Sequence, residues 1–294
     1  MKTRIRLIAI LFILFGSRVV AQDLMDLLNE DDSLKTDYTY ATFNSTRVIN
    51  GQSIELPKKG ALNFVISHHF GEISSGAYEW FGLDQANIRF GFDYGLTDWL
   101  SIGIGRTSVD KTFDGSAKVK ILRQSKGFKK MPITLTYFTN IAITSLKWQD
   151  PERNNYFSSR MEYVHQLLIA RKFGSRFSIQ LMPTFIHRNL VQTIYDQNDV
   201  WAIGVGGRVK LTKRLALTGE TYFLMPGQTQ QQFYNTLSFG IDLETGGHVF
   251  QIYLTNSKGL IEEQFIPETT GSWLRGDIHL SFNIHRTFQI VKNE

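Results

Sequence analysis

The stretch from Gln85 to Thr107, reading QANIRFGFDYGLTDWLSIGIGRT, constrains the fold more than any other part of the chain. Apolar residues occupy every second position before and after Leu96-Thr97-Asp98: Ala86, Ile88, Phe90, Phe92, Tyr94, Leu100, Ile102 and Ile104. Successive side chains of a strand point to opposite faces. The stretch therefore predicts a β-hairpin with one apolar face and one face of small or polar residues, including Gly103 and Gly105.

The same alternation recurs along the chain and predicts about twelve strands. Their expected ranges are 61–70, 85–95, 99–107, 116–124, 132–144, 158–172, 176–187, 199–211, 215–225, 234–244, 248–256 and 273–285. Most are long enough to cross a membrane as tilted strands, whereas ordinary globular strands are about five or six residues long. Short turns, such as Gly174-Ser175, alternate with long loops, such as 257–272, as in bacterial outer-membrane barrels.

The first 21 residues have the pattern of a cleaved secretory signal. Lys2, Arg4 and Arg6 precede the apolar run Leu7 to Phe15, and the small residue Ala21 marks the expected cleavage site. The apolar run is too short to span a bilayer as a helix, which disfavours the alternative of an N-terminal anchor. The segment holds four of the 32 Lys and Arg residues and none of the 27 Asp and Glu residues, so the mature chain is nearly neutral. This charge balance gives no indication of a nucleic-acid partner.

Residues 22–60 are predicted to form a periplasmic leader ahead of a barrel spanning 61–294. Gln22 to Ser33 is acidic and weakly helical in pattern, whereas Asp37 to Leu56 alternates loosely around the turn-forming pair Asn50-Gly51. The second segment could form a small hairpin under or inside the barrel.

Two architectures are compatible with the composition of an exported all-β chain: a secreted β-sandwich and an outer-membrane β-barrel. The chain has no Cys, which excludes disulfides, thiolate metal sites and Cys nucleophiles. Sorted loop lengths favour the barrel, as do aromatic residues near both expected membrane interfaces: Trp80, Trp148, Trp201 and Trp273 at one, Tyr94 and Trp99 at the other. Lipid cannot satisfy an open strand edge. We therefore expect a closed antiparallel transmembrane β-barrel of about twelve strands in the cell outer membrane.

Several short stretches resemble a family of exported β-barrels from Bacteroidota, domain of unknown function 5777. They are Thr46-Arg47-Val48-Ile49-Asn50-Gly51, His68-His69-Phe70-Gly71, Trp80-Phe81-Gly82-Leu83-Asp84, Ile88-Arg89, Tyr94-Gly95-Leu96-Thr97-Asp98, Gly105-Arg106 and Asp114-Gly115. The resemblance runs from about Thr42 to the end, and His69 stands where an Arg is expected. It implies an outer-membrane barrel and carries no established activity or catalytic residue.

The predicted inward face collects charges of both signs, which are the candidate lumen-lining residues. They are Arg89, Asp93, Lys118, Lys120, Arg160, Glu162, Arg208, Glu220, Asp242, Arg275, Asp277 and His279. A twelve-stranded barrel lies between the filled eight-stranded type and the sixteen-stranded type with a water channel. The charges could therefore neutralise one another in a packed ionic network or line a narrow polar conduit.

Asp277, His279 and Ser281 alternate on one strand face, where an acid, a base and a hydroxyl could form a nucleophilic site. His279-Leu280-Ser281 resembles the His-x-Ser pair of outer-membrane phospholipases, but Phe282-Asn283 replaces the Asn-Gly context and the periodicity turns the pair inward. We therefore expect no enzyme activity.

Metal signals are weak as well. His68, His69 and His187 lack a partner motif, and the acidic loop clusters Asp196–Asp199 and Glu262-Glu263-Glu268 lack the spacing of a calcium loop. The sequence therefore predicts no metal and no cofactor.

The leading functional hypothesis is a narrow channel for small polar solutes. The alternative is a non-conducting structural or partner-binding barrel, blocked by the Asp37 to Leu56 segment or by its own salt bridges. A lipid-modifying enzyme ranks third. The expected partners are outer-membrane lipid and either small polar solutes or periplasmic proteins.

Overall fold

The computed structural model describes residues 35–148, 150–191, 193–229 and 233–291 of the 294-residue chain. The predicted signal peptide, 1–21, and the acidic stretch Gln22 to Ser33 lie outside the described residues. None of the helices in the described ranges is long and apolar enough to cross a membrane.

The described part of the chain contains fourteen strands, most of them long. They are β1 (Thr36–Tyr38), β2 (Ala61–Glu72), β3 (Ala86–Gly95), β4 (Leu100–Thr107), β5 (Thr112–Leu122), β6 (Ser125–Gly127), β7 (Thr134–Thr144), β8 (Met161–Phe173), β9 (Phe177–Arg188), β10 (Asp199–Lys210), β11 (Leu215–Leu224), β12 (Thr236–Thr245), β13 (His248–Thr255) and β14 (His279–Gln289). The helical segments are a short α-helix, α1 (Glu262–Phe265), and the 3-10 turns Ile73–Ser75, Ala77–Gly82, Val109–Lys111, Phe157–Arg160 and Trp273–Arg275.

Twelve of these strands, all except β1 and β6, form one closed barrel. Each is antiparallel to its neighbours, and β14 pairs with β2 to join the two ends of the sheet, with Ile284 opposite Ile66. The structure thus confirms the predicted closed antiparallel barrel of twelve strands.

The last strand is the clearest error in the predicted boundaries. We expected it at 273–285, but β14 begins at His279. Trp273–Arg275 forms a 3-10 turn that ends at Gly276, which has φ 81°, a conformation that glycine adopts without strain. The alternation of Trp273 and Arg275 imitates a strand, but these residues belong to the preceding loop.

The barrel wall has an apolar outside and a mixed inside. On β3 and β4, Phe90, Phe92 and Ile104 are exposed on the outer wall, whereas Arg89 and Ser101 are buried on the inner side. Most of the long loops lie at one end of the barrel and most of the short turns at the other; the exceptions are the four-residue connection 108–111 at the first end and the eleven-residue connection 123–133 at the second. We call these the long-loop end and the short-turn end.

The chain divides into two compact units, and residues 40–123 with 133–294 form the one that contains the barrel. The other holds β1 and β6, which pair antiparallel with Tyr38 opposite Ser125. Thr39 N also donates to Gln124 O at 2.8 Å. Residues 40–60, which we had assigned to the leader, thus group with the barrel.

Candidate functional site

A small hairpin occupies the barrel lumen, formed by residues 42–54 of the segment that we had considered for this position. Its turn is closed by hydrogen bonds from Val48 N to Gly51 O at 2.8 Å and from Ser53 N to Thr46 O at 3.0 Å. Val48, Ile49 and Ser53 are completely buried. We call residues 42–54 the lumen hairpin.

Glu220, on the inner face of β11, holds the tip of the lumen hairpin. Its carboxylate accepts hydrogen bonds from the backbone N–H groups of Ile49, Asn50 and Gly51, at 2.6 to 3.2 Å. Three successive N–H groups directed at one anion form a concave cradle of partial positive charge. Glu220 therefore replaces the water that these buried donors would otherwise require.

Lys118, on β5, satisfies carbonyl groups of both hairpin arms. Its Nζ donates to Thr46 O at 2.7 Å, to Ser53 O at 3.0 Å and to Glu55 O at 3.4 Å. An ammonium group has three donors and no acceptor, so these contacts use its full capacity.

Amide side chains from three more strands complete the cradle. Gln180 accepts from Ile54 N at 3.0 Å and donates to the carbonyl of Gln52 at 2.7 Å. Gln251 donates to Val48 O and Asn283 donates to Ile49 O, at 2.9 and 2.8 Å. Inward side chains from five strands therefore bind the backbone of this one hairpin.

Small residues on the wall leave the space that the hairpin fills. A Cβ atom at Gly206 of β10 would lie 3.1 Å from Val48 Cγ1. At the hairpin tip, a Cβ atom at Gly51 would lie 1.9 Å from the Tyr222 hydroxyl oxygen, so no larger residue fits there without a shift.

A second segment enters the lumen from the long-loop end. We call residues 257–271, which include α1, the lumen loop. Phe265 is completely buried and packs its ring edge-on against Tyr222 of β11, with centroids 5.2 Å apart. Thr236 of β12 anchors the segment by donating its hydroxyl to the carbonyl of Phe265, which also accepts from Thr269 within the segment.

The two segments share an apolar core with one side of the inner wall, which we had expected to carry small, polar and charged residues. The cluster consists of Phe43, Val48 and Ile54 from the hairpin, Phe265 and Ile266 from the loop, and Phe138, Val164, Leu168, Ala170, Met182, Ile186, Val200, Ala202 and Tyr222 from the wall. Burial of this apolar surface stabilises both segments inside the barrel.

The lumen loop buries the carboxyl groups of Glu262 and Glu263 and partly buries that of Glu268. Burial raises the pKa of Glu262 and raises that of Glu263 well above the ordinary value, with the neighbouring Glu262 adding to the second shift. Asn140 Nδ2 donates to Glu263 Oε1 at 2.6 Å, whereas Glu263 Oε2 and Glu262 Oε1 have no hydrogen-bond partner among the described residues. Burial likewise raises the pKa of Glu268, which lies 3.5 Å from Arg188.

Four of the twelve predicted lumen-lining residues contact the lumen hairpin, namely Asp93, Lys118, Arg208 and Glu220, and Arg89 pairs with another residue of the wall. Arg89 forms a bidentate pair with Asp114, whose carboxylate it contacts at 2.5 and 3.0 Å. Asp93 accepts from the Thr46 hydroxyl at 3.0 Å, and Arg208 donates to Asn44 Oδ1 at 2.6 Å.

The remaining predicted residues on strands make other contacts. Asp242 accepts from Gln251 Nε2 at 2.9 Å, and Glu162 lies opposite Arg188 near the long-loop end. Lys120 is half-buried beside an irregularity in the pairing of β5 with β7.

Arg160, Arg275 and Asp277 do not line the lumen, which corrects the sequence analysis. Arg160 lies in the turn before β8, donates to Thr144 O and Leu146 O, and stacks over Trp148. Arg275 stacks over Tyr234, and Asp277 accepts from Ser272 N at 3.1 Å. All three belong to long loops, because the adjacent strands begin later than their alternation suggested.

His279 is buried at the start of β14, but it does not form a triad with Asp277 and Ser281. Its Nδ1 lies 2.8 Å from Phe70 O, and the buried Ser281 Oγ has no hydrogen-bond partner in the described part of the chain. The other candidate histidines are dispersed as well, since His69 contacts the Tyr253 hydroxyl inside the barrel and His187 contacts Asp199 outside. No group of His, Cys, Asp or Glu in the described ranges could hold a metal ion.

Sequence reasoning missed the amide residues that bind the hairpin. Gln180, Gln251 and Asn283 are uncharged, and a list restricted to charges passes over them. Their signal was position, because each occupies an inward site of its strand between apolar outward neighbours.

Solved structures with a similar fold are outer-membrane proteins of several activities. The NanC porin has 8% sequence identity and a TM-score of 0.48, covering 77% of this chain and 98% of that one. An outer-membrane channel from Pseudomonas putida F1 has 13% identity and a TM-score of 0.48, covering 80% and 97%. Outer-membrane phospholipase A from Escherichia coli has 10% identity and a TM-score of 0.44, covering 79% and 91%.

No curated protein matches the chain. A family model does, and it covers residues 43–288, from the lumen hairpin to the last strand. The chain belongs to the family of membrane-bound beta barrel domains designated DUF5777.

Proposed function

We propose that this protein is an outer-membrane barrel that is closed in its resting state and serves as a structural or partner-binding protein. The observation that carries the proposal is the lumen hairpin, whose backbone is hydrogen-bonded to Glu220, Lys118, Gln180, Gln251 and Asn283. A solute would have to displace these bonds and the apolar core beneath them.

The charge arrangement also supports a closed barrel. Lys118, Arg208 and Glu220 direct their charges at peptide groups or side chains of the hairpin. Removing the hairpin would leave these groups without their partners, which is costly in a partly dry lumen. The hairpin is therefore an integral part of the fold.

A narrow channel for small polar solutes is the second candidate function. It is favoured by the polar wall behind the hairpin, where Asn63, Asp93, Lys118, Gln251 and Asn283 would be wetted if the hairpin left. On this view the hairpin is a gate.

The absence of Cys from the chain allows a clean test of the two candidates. Val48→Cys and Gly206→Cys together place two thiols where a Cβ at Gly206 would lie 3.1 Å from Val48 Cγ1, within the reach of a disulfide. Single-channel conductance in planar bilayers is then measured for the oxidised and the reduced protein. Chains with only one of the two substitutions are the controls.

The closed-barrel proposal expects no conductance steps in the wild type or in either redox state of the double variant. A variant lacking residues 42–54 that still folds should conduct, because its lumen is partly emptied. Conductance that appears only in the reduced double variant and in the wild type would contradict this proposal and support the gated channel.

We propose a non-enzymatic role, which is supported by the engagement of His279 with Phe70 O instead of Ser281. The expected partners are outer-membrane lipid and periplasmic proteins, with small polar solutes as partners of the gated channel.

A further inference from the structure

A ladder of rings runs across the outer wall of four neighbouring strands. Tyr137 of β7, His165 of β8, Phe185 of β9 and Trp201 of β10 follow one another, with centroids 6.1, 6.2 and 4.7 Å apart. The first two contacts are nearly parallel, with interplanar angles of 9° and 12°. All four side chains occupy outward positions of their strands.

His165 is the polar member of this ladder. Its Nδ1 lies 2.7 Å from the Tyr137 hydroxyl and 3.1 Å from the Thr139 hydroxyl, and Thr139 is directly opposite it in the sheet. We assign the tautomer in which the hydroxyls donate to Nδ1, so that the ring proton is on Nε2. Nε2 has no hydrogen-bond partner among the described residues, and the side chain is half-exposed on the wall.

The outer wall of β3 and β4 differs from this patch, because it presents Phe90, Phe92, Ile102 and Ile104, which need no hydrogen bond. A polar N–H group facing lipid is costly unless a partner satisfies it. Since protein supplies none here, the partner has to come from the membrane.

The depth of His165 indicates which part of a lipid it meets. β8 starts at Met161 at the long-loop end, so His165 lies four residues into the strand. At about 3.3 Å per residue and a tilt of about 40°, that is roughly 10 Å below the strand end. With an apolar band about 25 Å tall, this places His165 several Å inside the hydrocarbon layer, from where its polar tip can extend toward the boundary at which the carbonyl groups that link acyl chains to a headgroup are found.

We propose that His165, with Tyr137 and Thr139, forms a binding site on the barrel exterior for an acyl ester or amide carbonyl of an outer-leaflet lipid. The N–H of Nε2 donates to the carbonyl oxygen, the two hydroxyls fix the tautomer from the other side of the ring, and Phe185 and Trp201 contact the acyl chain. The site recognises the carbonyl group rather than the headgroup.

The test compares two lipids by native mass spectrometry of the folded full-length protein. One is dimyristoyl phosphatidylethanolamine, which carries two ester carbonyls, and the other is its ditetradecyl ether analogue, which carries none. We expect the wild type to retain the ester lipid with about fivefold higher affinity, the gain of one hydrogen bond of about 1 kcal/mol.

His165→Phe keeps the ladder, removes the nitrogens, and should bind the two lipids equally. Phe92→Leu is the control, at an outward position of β3 that carries no polar side-chain atom, and it should leave the preference unchanged. If His165→Phe does not fold, Tyr137→Phe removes a single hydroxyl and should reduce the preference.

Three results would overturn the proposal. The first is equal retention of ester and ether lipid by the wild type, and the second is an unchanged preference in His165→Phe. The third is a wild-type dimer that is lost in His165→Phe, which would identify a second copy of the chain as the occupant of the patch.

Discussion

The lumen hairpin and the lumen loop fill one space but are held there by different forces. The hairpin is fixed by directional hydrogen bonds from five strands to its backbone, with Glu220 and Lys118 as the charged partners. The lumen loop relies on the apolar side chains of Phe265 and Ile266, and it buries one oxygen atom each of Glu262 and Glu263 that has no hydrogen-bond partner within the described ranges.

This difference predicts different responses of the two segments. Hydrogen bonds to the backbone fix the hairpin in one position, because each peptide group has its own partner. Apolar packing of the loop tolerates small displacements. Buried acids that favour their neutral form add a dependence on pH. We therefore expect the hairpin to be the static element and the loop to be the more easily released one.

The largest expected effect comes from the apolar anchor of the loop. Phe265→Ala removes a fully buried ring against Tyr222 and should lower the free energy of unfolding by about 4 kcal/mol. Denaturant unfolding in lipid vesicles measures it. Leu274→Ala, at a fully exposed site of the same long loop, is the control and should change stability little. Equal effects would refute the apolar anchoring of the loop.

Loss of the polar anchor of the hairpin is expected to lower the free energy of unfolding by nearly as much. Glu220→Ala leaves the N–H groups of Ile49, Asn50 and Gly51 without an acceptor and should cost about 3 kcal/mol. Amide hydrogen exchange should rise in residues 42–54 and remain unchanged in 257–271. The control is Glu244→Ala, which alters an exposed carboxylate at the short-turn end of β12. A rise confined to 257–271 would reverse the assignment of the two anchors.

A smaller loss of stability is expected when the backbone carbonyls of the hairpin arms lose the ammonium group that donates to them. Lys118→Met keeps the length of the side chain but removes the donor to Thr46 O and Ser53 O, with an expected cost of about 2 kcal/mol. Lys213→Met, in an exposed turn, serves as the comparison in the same unfolding experiment. Unchanged stability of Lys118→Met would show that the apolar core alone holds the hairpin.

The smallest expected effect is the dependence of the stability of the docked lumen loop on pH. The raised pKa of Glu263 means that both folded and unfolded chains are protonated below the ordinary carboxyl pKa, so stability is full there. As the pH rises above the ordinary carboxyl pKa, Glu263 ionises in the unfolded chain but not in the folded one. The docked loop therefore loses stability until the pH passes the raised pKa of folded Glu263. The carboxyls of Glu262, Asp114 and Glu162 face the same group and increase the effect.

Amide exchange in 257–271, compared at about pH 5 and about pH 8, measures this loss. Glu263→Gln should reduce the pH-dependent part, since the amide cannot ionise, while the exchange of residues 42–54 should be independent of the substitution. A pH response that is identical in the wild type and in Glu263→Gln would exclude Glu263 as its source.

Prediction from sequence succeeded where a residue's environment follows from its position along a strand. Phe90 and Ile104 had to face lipid, and Arg89 had to face inward, because period-two alternation admits no other arrangement. It failed where strands meet loops: Arg275 and Asp277 continue the alternation of β14, but they flank the left-handed Gly276 in the loop that precedes the strand. It also failed for Gln180 and Asn283, whose contacts are with a segment more than a hundred residues distant.

The sequence alone determined a closed twelve-stranded barrel with an apolar outside, because alternation, strand length and the need to pair every strand edge are local or nearly local properties. Only the tertiary structure decided what fills the barrel. Whether an inward Glu or Gln meets water, an opposite charge or a peptide N–H depends on which segments enter the lumen. That is set by the joint fit of hairpin, loop and wall across the barrel, which no single stretch of sequence encodes.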